Sequence, residues 1–357
     1  MADTTSPGCV GMERDGAYNR HATVQAAGNS MALWHAWEAA RRIDIDPGSE
    51  PIIIADYGCS QGKNSLAPMR TVIETLRSRV GTDRSFMVCH VDLPVNDFNT
   101  LFGTLDLDSD SYTRDAVDVY ACGIGRSFYQ NVLPPGSVHF GWSAYAVQWL
   151  SCVPTVSVDH LWPANLKDPA RSIYEQQGAR DWESFLALRA KELRPGGRLV
   201  VVCPGVGAGQ AIAGHADAVI VDMVKEGAIS AEERSHMVPA FWIRSKHDYL
   251  APFQRDGRFL SLTVEHCEST PQPDAAWEQY LRDGDAEALA IKHAAFFRAT
   301  LLPSLAATLT RADDPEAREI FGNRLECGLR QRLLREPASV NSRVDTVVIA
   351  KLPAARR

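Results

Sequence analysis

A glycine-rich turn between a predicted buried strand and a predicted helix carries the clearest chemical signal in this sequence. Residues 52–57 begin with three isoleucines, which are typical of a parallel strand covered on both faces. Gly58 and Gly62 follow, and glycines there let the backbone pass close to a ligand at the N-terminus of the next helix. The turn predicts a nucleotide-type cofactor site, although such turns also occur in α/β proteins without a ligand.

The spacing within the turn narrows the choice of cofactor. The dinucleotide fingerprint G-x-G-x-x-G is missing, and Lys63 is followed by Asn64 where a phosphate-binding loop requires serine or threonine. S-adenosylmethionine (SAM) therefore fits this turn better than NAD or ATP does.

Polar side chains near the turn are candidates for contacts with that cofactor. Asp92 ends the second predicted strand, where an acidic residue can accept hydrogen bonds from ribose hydroxyls. Asp56 ends the first strand and could orient the methionine part, and Asn64 in the first helical turn could bond its carboxylate. Each of the three could equally cap a helix or shape a turn.

Two aromatic residues suggest a substrate pocket. Tyr145 and Trp149 are four residues apart, so on a helix they share one face. They would form an apolar wall while presenting a phenol and an indole N–H. A pair of aromatic core residues is the alternative interpretation.

An alternating series of strands and helices would position these residues. Strands are predicted at residues 52–57, 86–91, 117–122, 138–142 and 198–203, and helices at 22–42, 65–80 and 181–193. The last of these helices is expected to stop at a turn formed by residues 194–197. The alternation predicts an α/β fold with a parallel sheet.

The second half of the chain is predicted to be mainly helical. Two late strands at 259–267 and 344–352 are separated from the rest by helices at 211–226 and 231–237 and a helical block at 275–335. We expect a cofactor-binding core formed by residues 1–204, 258–267 and 344–357. Residues 205–257 and 268–343 are expected to form a mainly helical, substrate-binding cap over the carboxyl edge of the sheet.

Composition excludes several classes of protein. The 357 residues have a net charge of -7, and no basic run is long enough to follow a nucleic-acid backbone. No stretch of 18 apolar residues could span a membrane, and the eight cysteines contain no C-x-x-C pair. These features predict a cytoplasmic protein with reduced cysteines that binds neither nucleic acid nor membrane.

Three segments resemble one enzyme family. Residues 55–66, 92–99 and 149–154 are similar to the strings A-D-L-G-C-S-S-G-P-N-T, D-L-P-x-N-D-F-N and W-L-S-Q-V-P of the SABATH carboxyl methyltransferases, the salicylic acid, benzoic acid and theobromine synthase group. The resemblance implies a Rossmann-like class I methyltransferase sheet with an α-helical cap, often in a homodimer. It also implies methyl transfer from SAM to a small, largely apolar acid, either a fatty acid, as in a bacterial fatty-acid O-methyltransferase, or a benzoate- or salicylate-like acid.

The resemblance also implies residue roles. Gln25 and Trp149 would hold the substrate carboxylate through an amide N–H and the indole N–H, and Tyr145 would flank the acyl part. Phe128 would lie against the adenine. The full set of implied or inferred cofactor-binding residues is Tyr18, Asp56, Gly58, Cys59, Asn64, Asp92, Leu93, Ser127 and Phe128.

The sequence departs from the family pattern at three places. Residues 17–22 lack a serine of the S-Y-A-x-N-S string, and in the family this serine helps to bind the carboxylate of the cofactor. Residues 142–149 differ from H-S-S-Y-S-L-M-W, which leaves the acid selectivity open. Residues 234–237 replace the magnesium contacts with Arg-Ser-His-Met, poor ligands for a hard cation, so we predict no metal.

The chemistry implied by the family requires few catalytic groups. A carboxylic acid with a pKa near ~4–5 is already ionised at pH 7, so methyl transfer to it needs no general base. We therefore interpret His21, His90 and His139 as structural or pocket-lining residues. The alternatives are an N-methyltransferase of the same family, a non-catalytic SAM-binding protein and, more distantly, a nicotinamide dehydrogenase.

Overall fold

The computed structural model describes residues 16, 19–20, 22–82, 84–114, 116 and 118–353. Tyr18, an expected cofactor contact, and His21 lie outside the described residues. Within the described part of the chain, no helix is both long enough and apolar enough to cross a membrane.

A seven-stranded mixed sheet forms the centre of the molecule. The strands are β1 (Ile52–Tyr57), β2 (Phe86–Asp92), β3 (Val119–Gly125), β4 (Val138–Ala144), β5 (Leu193–Pro204), β6 (Leu262–Pro271) and β7 (Arg343–Lys351). Their order in the sheet is β3-β2-β1-β4-β5-β7-β6. The predicted Rossmann-like α/β class is thereby confirmed.

The parallel pairing predicted from the alternating strands and helices is confirmed for the first five strands, and the two late strands depart from it. β1 to β5 pair in parallel, whereas β7 pairs antiparallel with both β5 and β6. Alternating strands and helices predict parallel pairing only where each connection is a simple crossover. The chain between β5 and β7 contains several helices and an edge strand, and connections of this length leave the strand direction free.

Helices flank the sheet and dominate the second half of the chain. They are α1 (Thr23–Arg41), α2 (Leu66–Val80), α3 (Phe98–Leu107), α4 (Ala170–Glu192), α5 (Gln210–Lys225), α6 (Ala231–His236), α7 (Lys246–Leu250), α8 (Ala275–Asp283), α9 (Ala286–Ala306) and α10 (Pro315–Arg335). The predicted block at 275–335 is therefore three helices. Gly284 ends α8 in the left-handed region, with φ of 71°, a conformation that favours glycine.

The turn predicted after α4 is instead the start of a strand. α4 ends at Glu192, and β5 begins at once, pairing Leu193 with Val138 and then Arg198 with Phe140 across a bulge. Gly196 and Gly197 lie between these paired residues and allow the bulge to form. A Cβ on Gly197 would lie 3.1 Å from the carbonyl oxygens of β4, so the close approach of the two strands requires glycine.

Hydrophobic residues form separate clusters around the sheet and among the late helices. Ile54, Phe86 and Val88 belong to a cluster on the sheet that α1 and α2 cover. Ile220, Phe297 and Leu329 belong to a different cluster, built by α5, α9 and α10. This arrangement suits a core with a helical cap, while the residue boundaries of those two regions stay a prediction.

Candidate functional site

The carboxyl ends of β1 and β2 meet at the glycine turn. Asp92 accepts hydrogen bonds from the backbone N–H of Ser60 and of Leu93, both at 2.7 Å. The side chain of Asn96 donates to the carbonyl of Ser60 at 2.8 Å. These contacts fix the shape of the turn from the neighbouring strand, and they join Ser60 to residues 32 and 36 positions further along the chain.

The two glycines of the turn are required by packing within the protein. Gly58 and Gly62 have φ of 91° and 86°, which other residues rarely adopt. A Cβ on Gly58 would lie 2.2 Å from Cβ of Ala146, and one on Gly62 would lie 2.5 Å from Cδ1 of Leu101. Packing is thus a second physical reason for these glycines, beside the close approach of a ligand that the sequence predicts.

The carboxylate of Asp92 has the properties of a ribose acceptor. Burial raises its pKa to about 6, opposed by the hydrogen bonds from Ser60 and Leu93, while nearby Asp56 raises it further. It is therefore mostly ionised at pH 7. A carboxylate offers about four acceptor positions, so two remain for hydroxyl groups. The Ser60 hydroxyl oxygen is also buried without a partner among the described residues.

Asp56 points into the protein. Its Oδ2 accepts from the Ser65 hydroxyl at 2.6 Å and lies 2.9 Å from Nδ1 of His90, whose Nε2 lies 2.6 Å from the Tyr112 hydroxyl. Asp56 and His90 are both buried. These partners make Asp56 a residue that positions the turn rather than one exposed to a ligand.

Cys59 sits beside this network as a neutral thiol. Burial, and then the charges of Asp92 and Asp56, hold its pKa well above the usual value. The ligand-type atoms of Asp56, Cys59 and His90 lie within 4.8 Å of one another. Because Asp56 and His90 already bond to each other, Ser65 and Tyr112, we assign no ion to them.

The remaining predicted cofactor residues flank the same edge of the sheet. Ser127 and Phe128 follow β3, and the Phe128 ring packs edge-on to Phe185 with centroids 5.9 Å apart. Asn64 lies in a short 3-10 turn before α2, and its carbonyl accepts from the Asn29 side chain at 3.0 Å. The Asn29 side-chain oxygen is buried without a partner in the described part of the chain.

Tyr145 and Trp149 line one cavity, but they are not on a helix. They lie in a turn after β4, and Tyr145 has a φ of 51°. The prediction of a shared helical face is wrong because β4 runs directly into this turn at the cavity. The cavity is lined by Val24, Gln25, Tyr145, Gln148, Trp149, Trp162, Pro204, Ala208, Gly209, Phe241, Ile243, Phe296, Thr300, Leu301, Val340 and Ser342. We call it the acyl cavity.

Gln25 and Trp149 are hydrogen-bond donors among the mainly apolar residues that line the acyl cavity. Gln25 on α1 is buried, and its amide oxygen has no partner among the described residues. Trp149 lines the same cavity, and its ring packs edge-on to Phe241 with centroids 5.8 Å apart. An amide N–H and an indole N–H beside apolar walls are suited to hold a carboxylate.

Two glutamines position Tyr145, and the sequence alone did not indicate this role. The Tyr145 hydroxyl donates to Oε1 of Gln272 at 2.9 Å, and Gln272 is buried. The side chain of Gln148 donates to the Tyr145 carbonyl at 2.7 Å, which leaves its buried Oε1 unpaired among the described residues. Gln272 lies 127 positions from Tyr145, so no local pattern could have found it.

A second cavity adjoins the acyl cavity. Val24, Phe296 and Val340 line both, so these three side chains separate them. The second cavity also contains Arg20, Asp274, Arg282, Lys292 and His293. Asp274 accepts from the backbone N–H of Trp277 at 3.0 Å and of Val340 at 2.9 Å and lies 3.5 Å from His293. Because Arg20, Arg282 and Lys292 are cationic and Asp274 is the one carboxylate among the described residues of this lining, the rim is mainly cationic. We call this second space the outer cavity.

Two further predictions concern histidine and metal. His139 is buried on β4, where its Nδ1 accepts from the backbone N–H of Ile53 at 3.1 Å. Burial and then the charge of Arg84 lower its pKa to about 4, so His139 is neutral and structural. The segment expected to lack magnesium ligands lies at the end of α6, where Arg234 forms an ion pair with Asp217.

Known proteins resemble this chain over most of its length. The family of SAM dependent carboxyl methyltransferases matches residues 10–333. A probable S-adenosylmethionine-dependent methyltransferase of Arabidopsis thaliana is 31% identical over 72% of this chain and 77% of its own. Salicylate carboxymethyltransferase of Clarkia breweri is 30% identical over 66% of this chain and 67% of its own.

A solved structure shares the fold. Loganic acid methyltransferase with SAH superimposes with a TM-score of 0.76 at 21% identity, covering 98% of this chain and 100% of that one. At this identity the likeness concerns the fold, and it confirms the class I methyltransferase architecture predicted from the sequence.

Proposed function

Because this chain belongs to the SABATH family of SAM-dependent carboxyl methyltransferases, we propose that it converts a small, largely apolar carboxylic acid into its methyl ester. It is a SAM-dependent methyltransferase, as its family is.

The main support for this proposal is that Gln25 and Trp149 both line the acyl cavity. The two donors come from α1 and from the turn after β4, and apolar side chains such as Phe241 and Ile243 surround them. A carboxylate held by two N–H donors keeps its acyl part against the apolar wall. The name of the relative salicylate carboxymethyltransferase gives salicylate as its acid, and we propose an acid of either the aromatic or the fatty class here.

SAM, when bound, supplies an electrophilic methyl group on a sulfonium. We propose that Asp92 accepts hydrogen bonds from its ribose and that the turn at Gly58 and Cys59, with Asn64, Leu93, Ser127 and Phe128, completes the site. Asp56 positions this turn through Ser65 and His90.

The protein's contribution to the reaction is placement. Gln25 and Trp149 would hold the acid so that one carboxylate oxygen is free to accept the methyl group, and no residue would need to remove a proton. Alignment of this kind lowers a barrier by several kcal/mol, up to roughly 7–11 in the best intramolecular cases. Apolar walls exclude the water that would otherwise solvate the nucleophile.

A methylation screen tests the proposal. The purified protein is incubated with methyl-labelled SAM and a panel of fatty and aromatic acids, and labelled methyl esters are identified by mass spectrometry. We expect esters from at least one acid class. Transfer to a xanthine but to no acid would establish the N-methyltransferase alternative, and SAM binding by calorimetry without any transfer would establish a non-catalytic SAM-binding protein.

Three features of the larger organisation complete the proposal. We propose that the helices within residues 205–257 and 268–343 act as the substrate-binding cap on the core, whereas residues 268–271 and 343 belong to the sheet. Homodimer formation and a cytoplasmic location stay predictions.

A further inference from the structure

Two cysteines that are far apart in the sequence lie side by side in the sheet. Cys89 on β2 and Cys122 on β3 are direct partners in the parallel register. Their sulfur atoms are 3.4 Å apart. Seven cysteines are free among the described residues, and these two form a hydrogen-bonded pair.

We propose that Cys122 and Cys89 form a peroxide-reactive pair, in which Cys122 is oxidised first and Cys89 then closes a disulfide between β2 and β3. This modification site is independent of the methyl-transfer proposal. It uses neither the acyl cavity nor any residue to which a role in binding SAM or the acid has been given.

The two thiols differ in the ways that the two roles require. Cys122 lies on the edge strand and is half-buried, so a small oxidant reaches it, whereas Cys89 is buried with 1% of its surface exposed. The hydrogen bond with Cys89, and then His90, lower the pKa of Cys122 to about 7 against the opposing effect of burial. The thiolate is the nucleophile, so Cys122 is the attacking residue.

The oxidation balances with hydrogen peroxide as the oxidant. The Cys122 thiol first releases its proton, and the thiolate then attacks one peroxide oxygen. The O–O bond breaks, a sulfenic acid forms, and the departing hydroxide takes up the released proton to become water. The Cys89 thiol then gives up its proton, its sulfur bonds to the Cys122 sulfur, and the S–O bond breaks to release a second water. In total two thiols and one peroxide yield one disulfide and two waters.

The backbone geometry permits this bond. Neighbouring strands lie roughly 4.7–4.9 Å apart, within the roughly 4.4–6.8 Å between Cα atoms that disulfides allow. The sulfurs must approach from 3.4 Å to about 2.05 Å, which side-chain rotation and small strand movements supply. The register pairing already places both side chains on one face of the sheet.

Peptide mapping of the intact protein tests the proposal. The protein is treated with hydrogen peroxide, free thiols are blocked by alkylation, and non-reducing digests are analysed by mass spectrometry. We expect a peptide cross-linked through Cys89 and Cys122 that dithiothreitol separates. Cys89→Ser should instead trap a sulfenic acid on Cys122, detected with dimedone, and Cys122→Ser should show neither product.

Cys327→Ser is the matched control because Cys327 is exposed on α10, away from the pair. It should form the same cross-link as the parent. Thermal melting checks that each variant folds, and Cys89→Ala replaces Cys89→Ser if the buried hydroxyl destabilises the protein. A peroxide-treated parent in which Cys122 stays a thiol, or is oxidised without linking to Cys89, would overturn the proposal.

Discussion

At the scale of single residues, the proposed site depends on polar groups with donor or acceptor positions that are free to bind a ligand. Gln25 lines the acyl cavity and has a buried amide oxygen with no partner among the described residues, and Trp149 lines the same cavity. Asp92 is half-buried and keeps acceptor positions after its two backbone hydrogen bonds. An unsatisfied buried polar group costs about 1–3 kcal/mol, so several at one edge of the sheet point to a ligand.

Trp149→Phe tests the carboxylate-binding donor. The substitution keeps an aromatic wall and removes the indole N–H. A hydrogen bond to a charged group contributes about 1.5–3 kcal/mol, so kcat/KM for the acid should fall about 10- to 100-fold. The measurements are initial rates of ester formation and the SAM dissociation constant, which should hardly change.

Trp162→Phe is the matched control for that experiment. Trp162 lines the same cavity and packs edge-on to Phe241 with centroids 4.8 Å apart, but we give it no role in binding the carboxylate. Equal losses of activity in both variants would show that cavity shape, and not the Trp149 N–H, limits the reaction.

The pH dependence of SAM binding tests Asp92. Its pKa of about 6 in the free protein means that the carboxylate takes up a proton as the pH falls through that value. Since ribose hydroxyls need the ionised acceptor, SAM affinity should decrease about fourfold between pH 7.5 and pH 5.5. Calorimetry measures this without substrate.

Asp92→Asn provides the comparison for the pH experiment. The amide cannot ionise, so the variant should bind SAM weakly and with no change over this pH range. A parent protein whose SAM affinity is constant from pH 7.5 to pH 5.5 would remove Asp92 from the ribose role.

At the scale of elements, α1 packs closely against the turn after β4. A Cβ on Gly28 of α1 would lie 2.0 Å from the Tyr145 hydroxyl, so Tyr145 reaches Gln272 only because this position is glycine. The side chain of Gln272 also donates to the carbonyl of Val24, next to Gln25. The helix that carries Gln25 and the turn that carries Trp149 are thus connected through Tyr145 and Gln272.

Gly28→Ala tests this coupling of elements. The new methyl group should displace Tyr145, break its hydrogen bond to Gln272 and raise KM for the acid, although alanine is the better helix former. Gly214→Ala on α5 is the control, because a Cβ there would meet no atom within 4 Å. It should stabilise the protein by up to about 1 kcal/mol with unchanged kinetics. Unchanged KM in Gly28→Ala would contradict the coupling.

At the scale of the whole molecule, the acyl cavity and the outer cavity lie between the sheet edge and the late helices. Val24 comes from α1, Phe296 from α9 and Val340 from the segment before β7, and together they separate the two spaces. The outer cavity has a cationic rim that includes Arg282 and Lys292. Substrate length should therefore be limited by side chains from distant parts of the chain.

Phe296→Ala tests the separation of the two cavities. Removing the ring should join them, so the preferred acid should shift to a longer chain, most clearly for acids with a second anionic group at the far end. The measurement is kcat/KM across acids of increasing length. Ile291→Ala on the exposed side of α9 is the control and should keep the parent profile. The same length profile in parent and Phe296→Ala would contradict this account.

The sequence by itself determined the family, the fold class and the cofactor, because these depend on contiguous patterns. The glycine turn after β1 and the acidic end of β2 are local signals, and hydrophobic periodicity located most strands and helices. Such patterns can be recognised in the sequence because each reflects the backbone conformation and burial of a single element.

Tertiary structure alone decided which residues meet. The antiparallel pairing of β7, the turn that carries Tyr145 and Trp149, the support from Gln272 and the contact of Cys89 with Cys122 all join positions without a shared local pattern. Such contacts are set by how elements pack around a common core. The physical reason is that packing energy depends on three-dimensional neighbours, which the order of residues along a chain does not specify one by one.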